Sequence, residues 1–238
     1  MGRIRGPALF SSHFGVDAKS LRLLGALDPV LNLDTKLFID PLRLRSSKQR
    51  EMRAARQTYL DHFASVIKLL KASKQDGDVP WRNAKRLLSF PEIQGTCLGY
   101  GSSSISGSAF GPALTQKLLV TAKAVVDLGI TDPDLFVVMA TFEEGVGADR
   151  ISDMVTNVIA KDPLAFNTRV LSALNVPTKR FTVAGQSAQL AANSKQPNTP
   201  VVLVPRDVLR KLPVACCRSD VSGAAGANAA LRHRVNTE

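Results

Sequence analysis

Carboxylates cluster in one short stretch of the sequence, near residues 143–153. Asp149 and Asp153 are four residues apart, so on an α-helix they share one face. Glu144 precedes them, beside the Gly145-Val146-Gly147 break. Two ionised carboxylates on one face repel each other, and Mg²⁺, which prefers oxygen ligands, relieves that repulsion. We therefore predict that Glu144, Asp149 and Asp153 hold Mg²⁺.

Two further residues complete this predicted metal site. Asp40 directly follows the apolar run Leu37-Phe38-Ile39, which predicts a buried strand with a carboxylate at its end. We expect Asp40 to be another metal ligand and Arg150 to steady a phosphate group of the substrate. An alternative stays open, because acids in the first turn of a helix interact with its dipole and cap free N–H groups without any metal.

A dense run of basic residues follows Asp40, accompanied by the single acid Glu51. Its members are Arg43, Arg45, Lys48, Arg50, Arg53 and Arg56. On a helix, Arg50, Arg53 and Arg56 lie one turn apart and form a cationic ridge that can face a phosphate backbone. Aromatic residues for base stacking are scarce nearby, so we expect contact with the backbone. A solvated helix face is the alternative interpretation.

Residues 95–111 are rich in Gly and Ser and predict a loop. Gly101, Gly107 and Gly111 would let the loop and the start of the next helix present backbone N–H groups to a phosphate. The loop is not a P-loop, because no Lys-Ser or Lys-Thr pair closes it, and it lacks a dinucleotide-binding fingerprint. A flexible connector is the other interpretation.

The composition favours a partner that carries negative charge. The 238 residues include 31 Lys and Arg against 20 Asp and Glu, a net charge of +11. The three histidines are far apart and argue against a zinc site. Cys97, Cys216 and Cys217 form no even-numbered disulfide framework, which favours a reducing, cytoplasmic location. Apolar runs are too short to span a bilayer, so we expect no membrane partner.

The apolar periodicity predicts a helix-rich α+β fold with a small sheet. A long helix is expected over residues 47–73, with a core stripe of Tyr59, Phe63, Val66, Ile67 and Leu70. Shorter helical segments are predicted at 81–88, 112–128, 132–142, 148–162, 164–174, 207–211 and 228–235. Strands are predicted at 37–39, 180–183 and 200–204, with a hairpin loop or excursion at 185–199.

These elements are expected to form a single globular domain over residues 1–238. Its first 30 residues or so contain several glycines and a proline, and we expect them to be irregular. The sequence ends inside the predicted helix at 228–235, which fits either a natural end of the domain or a truncated one.

Three segments together resemble a known group of proteins. They are residues 37–41 (Leu-Phe-Ile-Asp-Pro), residues 145–154 (Gly-Val-Gly-Ala-Asp-Arg-Ile-Ser-Asp-Met), and residues 202–207 (Val-Leu-Val-Pro-Arg-Asp) with Leu209 and residues 212–215 (Leu-Pro-Val-Ala). The sequence resembles a family of uncharacterised bacterial proteins associated with mobile elements or defence islands, over roughly residues 36–235. The resemblance implies a context and no particular reaction.

Two functions are consistent with these features. The first is a metal-dependent nuclease or phosphodiesterase, in which the acids hold Mg²⁺ and the basic run guides a polynucleotide. The second is a non-catalytic subunit that binds nucleic acid, or assembles with protein subunits, in a larger bacterial system. The second predicts salt-sensitive binding without turnover and without metal affinity.

Overall fold

The structure, a computed structural model, describes residues 8–91, 93–99, 111–134, 136, 148–194 and 196–211. For residues 148 and 149 it describes the backbone alone. The fold is helix-rich α+β, as predicted, with two small antiparallel sheets.

The helices follow in chain order. They are α1 (Phe10–Phe14), α2 (Ala18–Leu23), α3 (Arg50–Ala72), α4 (Val79–Leu87), α5 (Pro112–Asp127), α6 (Ala148–Val158) and α7 (Lys161–Ala173). A first 3-10 helix spans Pro41–Ser46 and a second spans Arg206–Val208.

The long helix α3 lies at the centre of the core. It contacts α4, α5, α6 and α7. The predicted apolar stripe is confirmed, because every one of its residues is buried. Tyr59 and Phe63 have ring centroids 4.7 Å apart, and Phe63 stacks on Phe136 at 4.5 Å. A helix with one apolar face is stabilised mainly by burying that face, which explains why the period in the sequence predicted α3.

The strands form two separate sheets. They are β1 (Leu37–Ile39), β2 (Lys179–Val183), β3 (Gln186–Ala192), β4 (Pro200–Val201) and β5 (Leu209–Lys211). One sheet has the order β2-β3-β4 and packs on α7, whereas the other is the pair β1-β5. In that pair Ile39 lies opposite Leu209 and Phe38 opposite Arg210. Residues separated by most of the chain therefore meet at β1, which also contacts α6.

The N-terminal region is more regular than we predicted. Asp17 accepts hydrogen bonds from the N–H groups of Lys19 and Ser20 and so caps α2. Gly15 adopts φ 64° and ends α1. The glycine that we interpreted as a breaker is therefore a helix terminus, and Phe10 on α1 is fully buried.

We predicted that Pro163 ends the preceding helix. In the structure it lies inside the first turn of α7 instead. Proline is tolerated there because the first N–H groups of a helix have no partner within the helix. The break comes earlier, between the end of α6 at Val158 and the start of α7 at Lys161.

The predicted loop at 185–199 contains the strand β3, which sequence reasoning missed. Ala184 and Gly185 both have positive φ, 46° and 75°, and connect β2 to β3 as a two-residue hairpin turn. The Gln- and Ala-rich segment Gln186–Ala192 has little β propensity, so its pairing with β2 is a tertiary effect.

The predicted strand at 200–204 is shorter than expected, although all five residues are buried. Beyond Val201 the backbone bonds to other partners: the Val202 N–H donates to the Gly95 carbonyl at 2.8 Å, and the Leu203 N–H donates to Asn167 Oδ1 at 2.8 Å. The helical turn predicted at 207–211 is instead the second 3-10 helix followed by β5.

The helices predicted at 132–142 and 228–235 lie mostly or wholly outside the described residues. Among the helices that are described, none is both long enough and apolar enough to cross a membrane.

Candidate nucleic-acid interface

Asp40 is buried at the end of β1 and is held by three neighbours. Its Oδ1 accepts a hydrogen bond from the Leu42 N–H at 3.0 Å and so caps the first 3-10 helix. Its Oδ2 lies 2.8 Å from Arg210 Nη2 and 3.8 Å from Arg43 Nε. The Asp40 side chain is 6% exposed. Its negative charge is therefore compensated by residues of this chain.

The helix α6, which carries two of the predicted metal ligands, packs against β1. The Ile39 N–H donates to Ser152 Oγ at 3.1 Å, so the residue before Asp40 touches the residue before Asp153. Asp153 and Arg150 are half-buried. Both acid positions, 149 and 153, are helical, as predicted from their spacing. The structure thus packs β1, which ends just before Asp40, against α6.

The full metal site remains a prediction. Glu144 and the side chain of Asp149 lie outside the described residues. Within the part of the chain that is described, no group of three or more His, Cys, Asp or Glu side chains is placed to hold a metal ion.

Two members of the predicted basic run are bound to internal partners. Arg56, 17% exposed, donates from Nη1 and Nη2 to the two carboxylate oxygens of Asp134 at 2.7 and 2.6 Å. These bonds lower the pKa of Asp134 and raise that of Arg56, so both stay ionised. Arg43 donates from Nη1 to the Leu209 carbonyl at 2.8 Å. Both arginines connect distant parts of the chain.

The other four members are exposed and form what we call the basic surface: Arg45, Lys48, Arg50 and Arg53. Arg50 is 80% exposed on its side chain, although its Nε lies 3.6 Å from Glu51 Oε1. Arg53 donates from Nη1 to the Ser47 carbonyl at 2.8 Å, which holds its guanidinium near the start of α3. The predicted ridge of Arg50, Arg53 and Arg56 is therefore wrong for Arg56, which is paired with Asp134. Arg45 and Lys48 extend the basic surface toward the first 3-10 helix.

Two carboxylates beside the basic surface, Glu51 and Asp207, are engaged by other groups of the chain, and Glu51 also lies 3.6 Å from Arg50. Glu51 is buried and accepts a hydrogen bond from Arg169 Nε at 2.8 Å, which lowers its pKa. Asp207 accepts from the Ser47 hydroxyl at 3.0 Å and from the Lys48 N–H at 2.6 Å. Because these acids already serve other groups of the chain, they offset the exposed cations only in part. The surface can attract a polyanion.

Gly111 is the N-cap residue of α5, and as a glycine it has no side chain that could cap the helix. The boundaries predicted for α5 from Pro112 and Gly129 are confirmed. Gly101 and Gly107 lie outside the described residues, so the phosphate loop remains a prediction.

Three further basic residues line a depression together with Arg43, and sequence reasoning did not select them: Arg206, Arg210 and Lys211. Their signal in the sequence was weak, since three cations in six residues around Asp207 form a sparser run than residues 43–56. The pairing of β5 with β1 is what places them next to Arg43.

A comparison with protein families places these features in one domain. A family model described as a domain of unknown function, DUF8370, matches residues 15–217. The chain belongs to this family. No match was found among curated proteins or among solved structures. The part matched to DUF8370 contains the basic surface, Asp40, α6 and Lys211, so the candidate interface lies wholly within the family's domain.

Proposed function

We propose that this protein binds nucleic acid through the basic surface of Arg45, Lys48, Arg50 and Arg53. The observation that carries the proposal is the arrangement of charge: these four cations are exposed, whereas the shortest ion pairs of Glu51 and Asp134 are with Arg169 and Arg56, and Glu51 lies farther, 3.6 Å, from Arg50. Lys and Arg side chains that neutralise phosphates release counterions from the polynucleotide, which supplies most of the sequence-independent affinity.

The proposal is tested by fluorescence anisotropy on the whole chain with duplex DNA, single-stranded DNA and RNA. We expect affinity for at least one of them to fall steeply between about 50 and 200 mM salt. The variant Lys48→Gln/Arg50→Gln should reduce the slope of log K against log salt by about 1.8 on duplex DNA, or about 1.4 on a single strand.

Lys68→Gln/Lys71→Gln is the matched control, because it removes the same charge from two exposed positions on α3, the helix that begins at Arg50. Lys68 lies about 27 Å along α3 from Arg50. The control should leave the salt dependence unchanged. Equal effects of the two double variants, or no binding by the parent protein at low salt, would overturn the proposal.

A second candidate function is a Mg²⁺-dependent nuclease or phosphodiesterase. Asp40, Glu144, Asp149 and Asp153 would be the metal ligands, and Arg150 would steady a phosphate. The hydrogen bond from Ile39 to Ser152 favours it, because it keeps Asp40 next to the acid-bearing helix. Mg²⁺ needs only one or two protein carboxylates, with substrate phosphate and water filling its other positions.

Cleavage assays with Mg²⁺ or Mn²⁺ test this second candidate. Asp153→Asn should abolish cleavage, whereas Asp61→Asn, at an exposed position on α3, should not change it. Cleavage that survives Asp153→Asn would remove that residue from the site. A parent protein that binds nucleic acid but never cleaves it would rule out the nuclease and leave binding as the only proposed function.

For either function, we propose a role in a bacterial defence or mobile-element system, as a cytoplasmic protein that acts alone or with protein subunits. The resemblance of the sequence to bacterial proteins in those settings supports this context.

A further inference from the structure

A depression of about 480 Å³ is lined in part by Arg43 and Arg210, the two ion-pair partners of Asp40, and we call it the arginine pocket. Four cationic side chains line it: Arg43, Arg206, Arg210 and Lys211. They come from the first 3-10 helix, the second 3-10 helix and β5, which the β1–β5 pairing brings together. Its volume lies in the range of pockets that bind small ligands.

The charges of the arginine pocket are not balanced. Asp40 forms ion pairs with Arg210 and Arg43, so one carboxylate serves two guanidinium groups. Arg206 and Lys211 are exposed, and neither has an acidic partner among the residues that the structure describes. Like charges held close together repel each other, and an anion in the pocket would relieve that repulsion.

The pocket also has an apolar part, formed by Leu27, Leu37 and Leu209. A ligand with one strongly anionic end and a less polar body suits this lining. A terminal phosphate carries a charge of about −1.5 to −2 at pH 7, whereas each phosphodiester carries one charge and is flanked by chain on both sides. A concave site therefore accommodates the end of a strand more easily than its middle.

Hydrogen bonds connect the segment that carries Arg206 to the segment that carries Lys48. Asp207, next to Arg206, accepts hydrogen bonds from the Ser47 hydroxyl at 3.0 Å and the Lys48 N–H at 2.6 Å. These bonds fix the second 3-10 helix against the start of α3. A strand whose backbone contacts Lys48 would therefore pass close to the segment that carries Arg206.

We propose that the arginine pocket binds the terminal phosphate of a nucleic-acid strand whose backbone lies on the basic surface. This inference rests on the proposed nucleic-acid binding. Arg206 and Lys211 supply the charges that distinguish a phosphorylated end from a hydroxyl end.

The test compares three single-stranded oligonucleotides of one sequence, bearing a 5′-phosphate, a 3′-phosphate or hydroxyl groups at both ends. We expect one phosphorylated form to bind the whole protein about tenfold more tightly than the hydroxyl form, the effect of one or two charge-assisted contacts. The preference should weaken below about pH 6, where the phosphate takes up its second proton.

Variants separate this inference from the proposed function. Arg206→Gln/Lys211→Gln should remove the preference for the phosphorylated end, and its melting temperature shows whether the fold is intact. Lys48→Gln/Arg50→Gln should weaken the binding of all three oligonucleotides by the same factor. Equal affinity of the parent protein for the three oligonucleotides would overturn the proposed phosphate pocket but not the proposed nucleic-acid binding. Failure to bind any of the oligonucleotides would overturn both proposals.

Discussion

Arg210 on β5 forms an ion pair with Asp40 at the end of β1, with Nη2 and Oδ2 2.8 Å apart. The two residues are far apart in sequence, and the antiparallel pairing that places Arg210 opposite Phe38 brings them into contact. The Asp40 N–H also donates to the Val208 carbonyl at 2.9 Å. Asp40 thus has a structural role at the edge of the candidate interface, whatever else it binds.

We expect Arg210→Gln to lower the free energy of unfolding by about 1 kcal/mol, because the buried Asp40 carboxylate loses its nearest cation. The loss is limited because the Arg210 side chain is 55% exposed. Arg206→Gln should stay within about 0.5 kcal/mol of the parent. Urea denaturation of a double-mutant cycle with Asp40→Asn measures the coupling, and additive effects would show that the pair contributes nothing.

Arg56 and Arg50 should behave in opposite ways although both belong to the basic run. Arg56→Gln should destabilise the protein by about 1–2 kcal/mol, because it removes a two-bond contact with Asp134. It should leave the affinity for nucleic acid unchanged. Arg50→Gln should weaken nucleic-acid binding and change stability by less than about 0.5 kcal/mol. Thermal melts and anisotropy on the same two variants check both; a large loss of binding in Arg56→Gln would contradict this division.

Asp162 should make stability depend on pH. It is buried, its Oδ2 has no hydrogen-bond partner among the described residues, and burial raises its pKa. A raised native pKa means that this group favours folding below its unfolded pKa of about 3.9, and that this contribution is lost as the pH rises through the native value.

Asp162→Asn should therefore raise the melting temperature by about 2–4 °C at pH 7, and the gain should disappear toward about pH 4. Asp61→Asn, which changes an exposed carboxyl on α3, should show no such dependence. Melting curves across this pH range check the prediction, and an equal gain at both ends would show that ionisation of Asp162 is not the cause.

Asn167 is fully buried, and its side-chain amide both donates a hydrogen bond to the Leu203 backbone and accepts one from it. Its Nδ2 donates to the Leu203 carbonyl and its Oδ1 accepts from the Leu203 N–H, each at 2.8 Å. Asn167→Ala would leave both backbone groups unsatisfied in the core, and we expect a loss of about 2–4 kcal/mol. Thr168→Ala, at the next position on α7, should cost less than about 1 kcal/mol in chemical denaturation. Similar losses for the two would contradict this role.

Gly95 should not tolerate a side chain. Its φ is 97°, and an added Cβ would lie 2.3 Å from the Pro200 carbonyl oxygen. Gly77 also has a positive φ, 81°, but nothing lies within 4 Å of its Cβ position. Gly77→Ala should cost about 1 kcal/mol from backbone strain alone. Gly95→Ala should cost more than about 3 kcal/mol, and comparable costs in denaturation would show that the segment at Pro200 can move.

The helices were largely predictable because their signals are local. The apolar stripe from Tyr59 to Leu70 predicted α3, and Pro112 with Gly129 predicted the ends of α5. Each signal depends on a few neighbouring residues and on the helical repeat of 3.6 residues. Asp17 carried a similar local signal as a cap of α2, and we missed it because the glycines around it suggested loops.

The strands were predictable only where β-branched or apolar residues were dense. Leu37–Ile39 met that condition, and β3 and β5 did not. Gln186–Ala192 becomes a strand because a hairpin turn and α7 hold it against β2. Leu209–Lys211 becomes one because it pairs with β1 across most of the chain. The pairing of β5 with β1, unlike the local hairpin of β2 and β3, depends on which distant segments the core brings together.

The sequence by itself determined the main helices, the excess of positive charge and the dense basic run after Asp40. Only the tertiary structure decided which of those charges are exposed. Arg56 pairs with Asp134, and Arg43 donates to the Leu209 carbonyl, while Lys48 and Arg50 stay exposed, with Glu51 3.6 Å from Arg50. The physical reason is that a charge finds its partner through space, and segments distant in the chain supply those partners.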